Sequence, residues 1–316
     1  MKTNCSAIFY LSILLLGFCV SAQAGVLFVD VNNNSGAENG ISWDTAYTSI
    51  QEAVDAASVN DEVWVAAGTY TGTDDPVLQM REGVHLYGGF IGTETQRSQR
   101  DWAVNISAID GENTRRGVLG ANNSTLDGFT IANCNNVEDD AAFPGDEGSG
   151  AGMLNYDVSP TVTNCVFSGN SSIFAGGMLN LGLSMEISPT ITNCTFTGNS
   201  AINAGGGMCN VDAGPVVSNC SFVDNYGGGG GGMSNFYGTP TVSGCSFTGN
   251  ESLLYGGGMI NWEASPTVID CVFANNNGGV KDSFDISVAD GGGGMYNRKS
   301  SPTVLNCTFK IGRAHV

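Results

Sequence analysis

Basic residues are scarce in this sequence. Its 316 residues include Lys+Arg 11 and His 2 against Asp+Glu 30, and from Arg116 to Lys281 no Lys, Arg or His intervenes. A net charge of -19 excludes nucleic acid and anionic membrane surfaces as partners, because both repel a negative chain. So few histidines leave no Ser-His-Asp signature and no Cys/His zinc spacing. His85, beside "VHLYGG", reads as structural. A leucine ladder is also missing, which excludes leucine-rich repeats. Recurring prolines with Thr, Val and Ile are poor helix material and exclude a helical solenoid. The run Gly227–Gly232 lacks the strand-to-helix context of a phosphate loop. Against these absences stand Gly 46, about twice the usual share, and 41% hydrophobic residues, enough for a packed core rather than a disordered chain.

The first residues read as an export signal. Lys2 precedes the apolar run "AIFYLSILLLGFCV", and "SAQA" supplies small residues before a cut after Ala24. The run is short for a membrane span, and bulky Phe18 disfavours lipidation at Cys19. The mature chain is therefore expected to begin at Gly25, extracellular or on a cell outer-membrane surface.

One phrase then recurs six times, as in "AGMLNYDVSPTVTNCVFSGN" and "GGGMSNFYGTPTVSGCSFTGN". Met153, Met178, Met208, Met233, Met259 and Met295 lie 25, 30, 25, 26 and 36 residues apart. The longer gaps are insertions, "LGLSME" before Pro189 and "GGVKDSFDIS" after Cys271. Insertions confined to certain turns imply loops on a rigid repeating frame. Short β segments separated by turn formers fit a chain winding as strand, turn, strand, turn, strand. The predicted fold is all-β: a right-handed parallel β-helix (solenoid) with an N-terminal amphipathic helix cap.

Stacking gives each recurring letter a place. Val162, Ile191, Val217, Val242, Val268 and Val304 should face inward. Asn164, Asn193, Asn219, Gly244, Asp270 and Asn306 follow two residues later and suit a left-handed corner. Cys165, Cys194, Cys220, Cys245, Cys271 and Cys307 each lie five residues after a proline, a packing signature of free, stacked thiols rather than bridges. Cys134 and Cys209 fall outside this set. Phe167, Phe196, Phe222, Phe247, Phe273 and Phe309 should form an aromatic stack, and Met should fill the remaining gap. Asn155, Asn180, Asn210, Asn235, Asn261 and Asn297 suit a second stacked corner.

Residues 1–24 are thus read as signal peptide, 25–150 as cap and irregular first coils, 151–309 as regular repeats. In the first part, Trp43, Tyr47, Ile50, Val54 and Ala57 have helical spacing, with Ser42 or Asp44 as the cap; this helix would plug the solenoid's open end. In "STLDGFTIANC", Phe129 should take the ladder place of Cys and Ile131 that of Phe. After Phe309 the pattern stops. Residues 310–316 are expected to be a non-native tail such as adapter read-through would encode, with membrane attachment only through a missing C-terminal part.

"FSGN" (Phe167–Asn170), "FTGN" (Phe196–Asn199), "FVDN" (Phe222–Asn225), "FTGN" (Phe247–Asn250) and "FANN" (Phe273–Asn276) match a Phe-x-x-Asn motif. With the Gly-Gly-containing motif they resemble the repeats of polymorphic outer membrane proteins, although Gly-Gly-Met stands where that family favours Gly-Gly-Ala. The stretch "SWDTAYTSIQEAVDAASVNDEVWVAAGTY" resembles the start of bacterial secreted β-helix proteins of the pectin-lyase-like superfamily. Both resemblances imply fold and export, and adhesin-like surface display.

No catalytic set emerges from the residues. Lyases of acidic sugars need carboxylates on Ca²⁺ and a basic residue, and a hydrolase needs paired acids. Asp157, Asp212, Asp224 and Asp270 lie one per coil and are read as solubilising. Arg81, Arg97, Arg100, Arg115 and Arg116 are the only local arginines for a catalytic cluster. "EDDAAFPGDEG" makes Asp139, Asp140, Asp146 and Glu147 candidate calcium ligands beside Glu138, but their spacing departs from a calcium loop and favours a solvated acidic loop. The expectation is an exported scaffold binding extracellular glycans or a host or neighbouring cell surface, without catalysis and without an obligate cofactor. The alternatives are a polysaccharide lyase or glycoside hydrolase, and a Ca²⁺-stabilised scaffold.

Overall fold

The computed structural model describes residues 24–136, 149–184, 186–279 and 292–310. Among them, four parallel sheets run side by side along one axis. The Val sheet has ten strands, from Val26–Val29 to Thr303–Leu305; the Phe sheet has nine, from Gly68–Tyr70 to Thr308–Lys310. The Met sheet has eight, from Leu78–Gln79 to Met295–Arg298. A fourth sheet of six two-residue strands runs from Asn135–Asn136 to Asn277–Gly278. The chain is therefore a parallel β-helix, and the coils from Asn135–Asn136 to Asn277–Gly278 carry four strands rather than the three read from the repeat. The fourth strand is set by backbone pairing, as where Ser200 N donates to Asn170 O at 2.8 Å, so its side chains need not recur.

The core is a stack of like residues. Val162, Ile191, Val217, Val242 and Val268 are buried and pair in register. Rings from Phe167 to Phe309 stack with centroids 4.6–4.9 Å apart and planes within 2–5°. Cys165, Cys194, Cys220, Cys245 and Cys271 are buried, Cys307 is half-buried, and all are free thiols. Backbone N–H groups of Cys194, Cys220, Cys245 and Cys271 each point at the next coil's Sγ at 3.4 Å. Phe129 does take the Cys place and Ile131 pairs with Phe167.

The corner between the Val and Phe strands is left-handed as expected: Asn164, Asn193, Asn219, Gly244, Asp270 and Asn306 have φ of 53–62°. The second corner is not. Asn155 and its equivalents lie within the Met strands, where each Nδ2 donates to the next Oδ1 at 2.7–2.8 Å. Such a ladder satisfies buried amides only if they point inward from extended backbone. The left-handed corner falls two residues later, at Asp157, Asp212, Tyr237, Glu263 and Lys299 (φ 47–62°).

A second buried amide file gives the Phe-x-x-Asn motif its physical basis. Asn225 Oδ1 accepts from Asn199 N and Nδ2, both at 3.0 Å, while Asn225 Nδ2 donates to Phe196 O and Asn250 Oδ1, both at 2.9 Å. Cys134 takes this place in the preceding coil, its N–H donating to Asn170 Oδ1 at 2.9 Å. The glycines before Met serve close approach rather than turning. A Cβ on Gly207 would lie 2.6 Å from Gly232 O and 3.0 Å from the Phe222 ring. Cys209 belongs to a separate small core outside the tube, with Leu154, Leu179 and Ala204.

At the N-terminal end the expected helix is shorter. Residues Trp43–Thr45 form a 3₁₀ turn and only Ile50–Ala56 is α-helical. The cap is Ser49, whose side chain accepts from Glu52 N at 3.5 Å, and not Ser42 or Asp44. Tyr47 is held extended by bonds of 2.9 Å to Phe28 of the first strand and to Asp30 just after it, which prevents the helix from starting earlier. Ile50, Ala53 and Val54 are buried and continue the core, so the helix does close this end.

Candidate functional site

Two surface grooves carry polar and aromatic side chains outside the core. The first lies over the early coils of the Val sheet, about 610 Å³, lined by Glu62, Tyr87, Arg97, Ser98, Arg100, Thr125 and Asp127. Strand alternation turns Glu62, Tyr87, Thr125 and Asp127 outward, opposite Val63, Leu86 and Leu126. Arg97 pairs with Glu62 and Arg100 with Asp127, both at 2.5 Å. Their guanidinium groups lie 4.4 and 5.3 Å from the Tyr87 ring centre. Burial pushes the Tyr87 phenol above its ordinary range. The acids are engaged on further sides: Trp64 Nε1 donates to Glu62 at 2.7 Å and Asn164 Nδ2 to Asp127 at 2.8 Å. Arg100 also donates to Gly88 O and Asp127 O at 2.9 and 3.0 Å. These bonds clamp the 91–106 loop against the sheet.

Of the other arginines read as a local supply, Arg81 donates to Asp55 O and Ala57 O, both at 3.0 Å, at the helix C-terminus. Arg115 pairs with Glu112, and Arg116 donates to Ser149 O at 2.9 Å and Gly150 O at 3.3 Å. His85 Nδ1 sits 3.0 Å from Thr125 Oγ1, a ladder contact between neighbouring strands. Arg97 and Arg100 line a groove together with the carboxylates they pair with.

The second groove lies at the corner between the Met and Val strands, about 590 Å³. The "LGLSME" insertion forms one wall with Gly182, Leu183, Ser184 and Glu186; Asp212, Tyr237 and Thr239 form the other. Leu183 is 57% exposed and Tyr237 55%. Asp212 and Tyr237 occupy successive left-handed corners. For tyrosine this is costly backbone, since a bulky side chain at positive φ is a genuine outlier. Beside it, Phe236 and Trp262 are cross-strand partners on the outer face, and the Arg298 guanidinium lies 4.0 Å from the Trp262 ring centre. The groove offers one ring, Tyr237, beside the Glu186 and Asp212 carboxylates, an arrangement suited to hydroxyl-rich ligands with apolar C–H faces.

Asp224 and Asp270 stand at the other two corner types, so the four acids read as solubilising are corner residues. The candidate calcium ligands Asp139, Asp140, Asp146 and Glu147, like Glu138, lie outside the described residues. Among the described residues no three His, Cys, Asp or Glu side chains converge on a metal-sized site. Neither groove was placed by sequence reasoning, although the insertion signalled the second.

A family model described as "Right handed beta helix region" matches residues 190–315. Among solved structures, the chain is similar to a pectin methylesterase from Aspergillus niger at 15% identity, covering 94% of this chain and 92% of that one, with TM-score 0.47. A pectate lyase is similar at 14% identity, covering 90% and 78%, with TM-score 0.47. A search of curated proteins gives no match. These likenesses concern the winding of the chain and assign no residue a role.

Proposed function

We propose that the protein is an exported β-helical scaffold that binds extracellular glycans through the corner groove. The observation that carries this reading is Tyr237: more than half exposed, in left-handed backbone, facing the same groove as Asp212 and Glu186. A ring held at a backbone cost and left in water does not serve packing. It serves a ligand that stacks on it. The carboxylates select the ligand class. With a net charge of -19 and two acids at the rim, uronic-acid polymers are repelled and neutral sugars, whose hydroxyls donate to carboxylates, are favoured. The leader-like residues 1–24 and the likeness to polymorphic outer membrane protein repeats support export and surface display.

The test is affinity electrophoresis and calorimetry against neutral and acidic polysaccharides. Tyr237→Ala should weaken binding to the preferred neutral glycan by about tenfold. Equal binding by wild type and variant, or preference for acidic polymers, would overturn the reading.

A second reading rests on the first groove, where two carboxylates and two arginines surround Tyr87. Such a cluster is the raw material of a polysaccharide lyase or glycoside hydrolase. Release of unsaturated or reducing ends from a polysaccharide panel, abolished in Glu62→Gln, would establish that reading in place of simple binding.

A further inference from the structure

The outer face of the Val sheet carries a different kind of surface. From Thr161 to Ile269 every outward strand position is Thr or Ser except Val216 and Ile269. The pairs Thr161/Thr163 and Thr190/Thr192 repeat in register, and Thr241 and Thr267 continue the first row. No outward position of this stretch is charged, in a chain with Asp+Glu 30. None is aromatic. Thr161 and Val216 are exposed and the rest half-buried, as expected of side chains standing on an uncovered sheet.

The spacing of this array is fixed by the fold. The internal phenylalanine rings set the coil-to-coil repeat at 4.6–4.9 Å. Along each strand, alternate residues are separated by roughly 6.6 Å, twice the rise per residue. Threonine, valine and isoleucine, stiff at χ1, hold every one of these positions except Ser218 and Ser243, so most hydroxyl and methyl groups stand in a pre-ordered net. No register shift interrupts the sheet here; the one in this sheet lies at Val65/Ala66. Where neighbouring hydroxyls meet, Thr192 Oγ1 and Ser218 Oγ are 3.0 Å apart, within one hydrogen bond of each other and with acceptor capacity to spare.

An uncharged, periodic net of hydroxyls and methyls matches a ligand that is itself uncharged and periodic. A single glycan chain is recognised by stacking and by carboxylates, which this face lacks and the corner groove supplies. Water ordered over the net needs only hydroxyl partners and methyl-lined gaps. We propose that this face binds the surface of ice, by holding a layer of ordered water that merges with the crystal lattice. The site is separate from the glycan groove and does not depend on it.

The test is ice-recrystallisation inhibition and thermal hysteresis with the whole chain. Wild type should slow crystal coarsening. Thr190→Lys with Thr241→Lys, which places two charges in the net without touching the core, should abolish the effect. Ser200→Lys, on the two-residue sheet, should leave it intact, and circular dichroism would confirm that all three proteins are folded. Three results would overturn the proposal: a wild type no better than an inert protein, a double variant of undiminished effect, or a folded Ser200→Lys protein that has lost it. Binding to crystalline chitin or cellulose that the double variant loses, without any effect on ice, would assign the face to a polysaccharide lattice instead and equally overturn it.

Discussion

Replacing Asn225 by alanine removes the centre of the buried amide file and should be among the most damaging single changes in the regular coils. The side chain is fully buried and makes four hydrogen bonds of 2.9–3.0 Å. Its loss leaves Asn199 N, one Asn199 Nδ2 hydrogen and Phe196 O without those partners, whereas Asn250 Oδ1 still accepts from Asn225 N at 3.1 Å. Three orphaned buried groups at about 1–3 kcal/mol each, allowing for partial relaxation, predict a loss of about 3–6 kcal/mol. Because coils contact only their neighbours, the damage should centre on the coils bearing Asn199 and Asn250. Urea unfolding followed by circular dichroism measures the loss, and hydrogen exchange locates it. Asn219→Gly is the control. Asn219 is exposed with φ 54°, a conformation glycine adopts freely, so about 0.5 kcal/mol or less should be lost. If Asn225→Ala costs no more than this control, the amide file does not hold the coils in register and the reasoning fails.

Other outcomes follow from the same stack. Phe222→Ala empties a slot between rings 4.9 and 4.6 Å away and should cost about 3–5 kcal/mol in the same urea assay. In native protein labelled with maleimide, Cys307, half-buried, should react before Cys134, Cys209 and the five buried thiols of the file; mass spectrometry of peptides reads the order. Burial pushes the Cys134 and Cys209 thiols up to about 12 from an ordinary 9.0. A group whose pKa is raised by folding stabilises the fold below its unfolded value, and that stability is lost as pH rises towards the folded one. Urea midpoints should therefore fall between pH 9 and 12, each thiol contributing up to about 1.4 kcal/mol per pH unit.

The core was legible in the sequence because every coil makes the same demand at the same place. Val, Cys and Phe recur where the tube is narrow, and even the substitutions by Phe129 and Ile131 could be placed by alignment alone. The left-handed corner at Asn164 was legible because only Asn, Asp and Gly fit it there. The corner after the Met strand was not, since Asp157, Asp212, Tyr237, Glu263 and Lys299 have no constant letter; the constant letter is instead the Asn155 file two residues earlier, which is a ladder. Helix spacing from Trp43 to Ala57 misled because Tyr47 is claimed by the first strand, a tertiary contact that local periodicity does not carry. The early groove was hidden for a similar reason: Arg97 meets Glu62 across 35 residues of chain.

Tyr237 is where stability and function should part. Its corner partners are mostly small or charged, and Asn is the residue that tolerates φ of 62° with least strain after glycine. If the ring were needed for packing, Tyr237→Asn would weaken the fold. If it is held there for a ligand, the change relieves backbone strain and should stabilise the protein by about 1 kcal/mol, while neutral-glycan affinity falls together with that of Tyr237→Ala. The two measurements are independent, one by urea midpoint and one by calorimetry. A variant both less stable and equally able to bind glycan would show that the tyrosine is structural, and would return the corner groove to the status of an ordinary turn. A gain in stability paired with a loss of binding would show a backbone cost kept for recognition, on a scaffold whose internal files leave its corners free to vary.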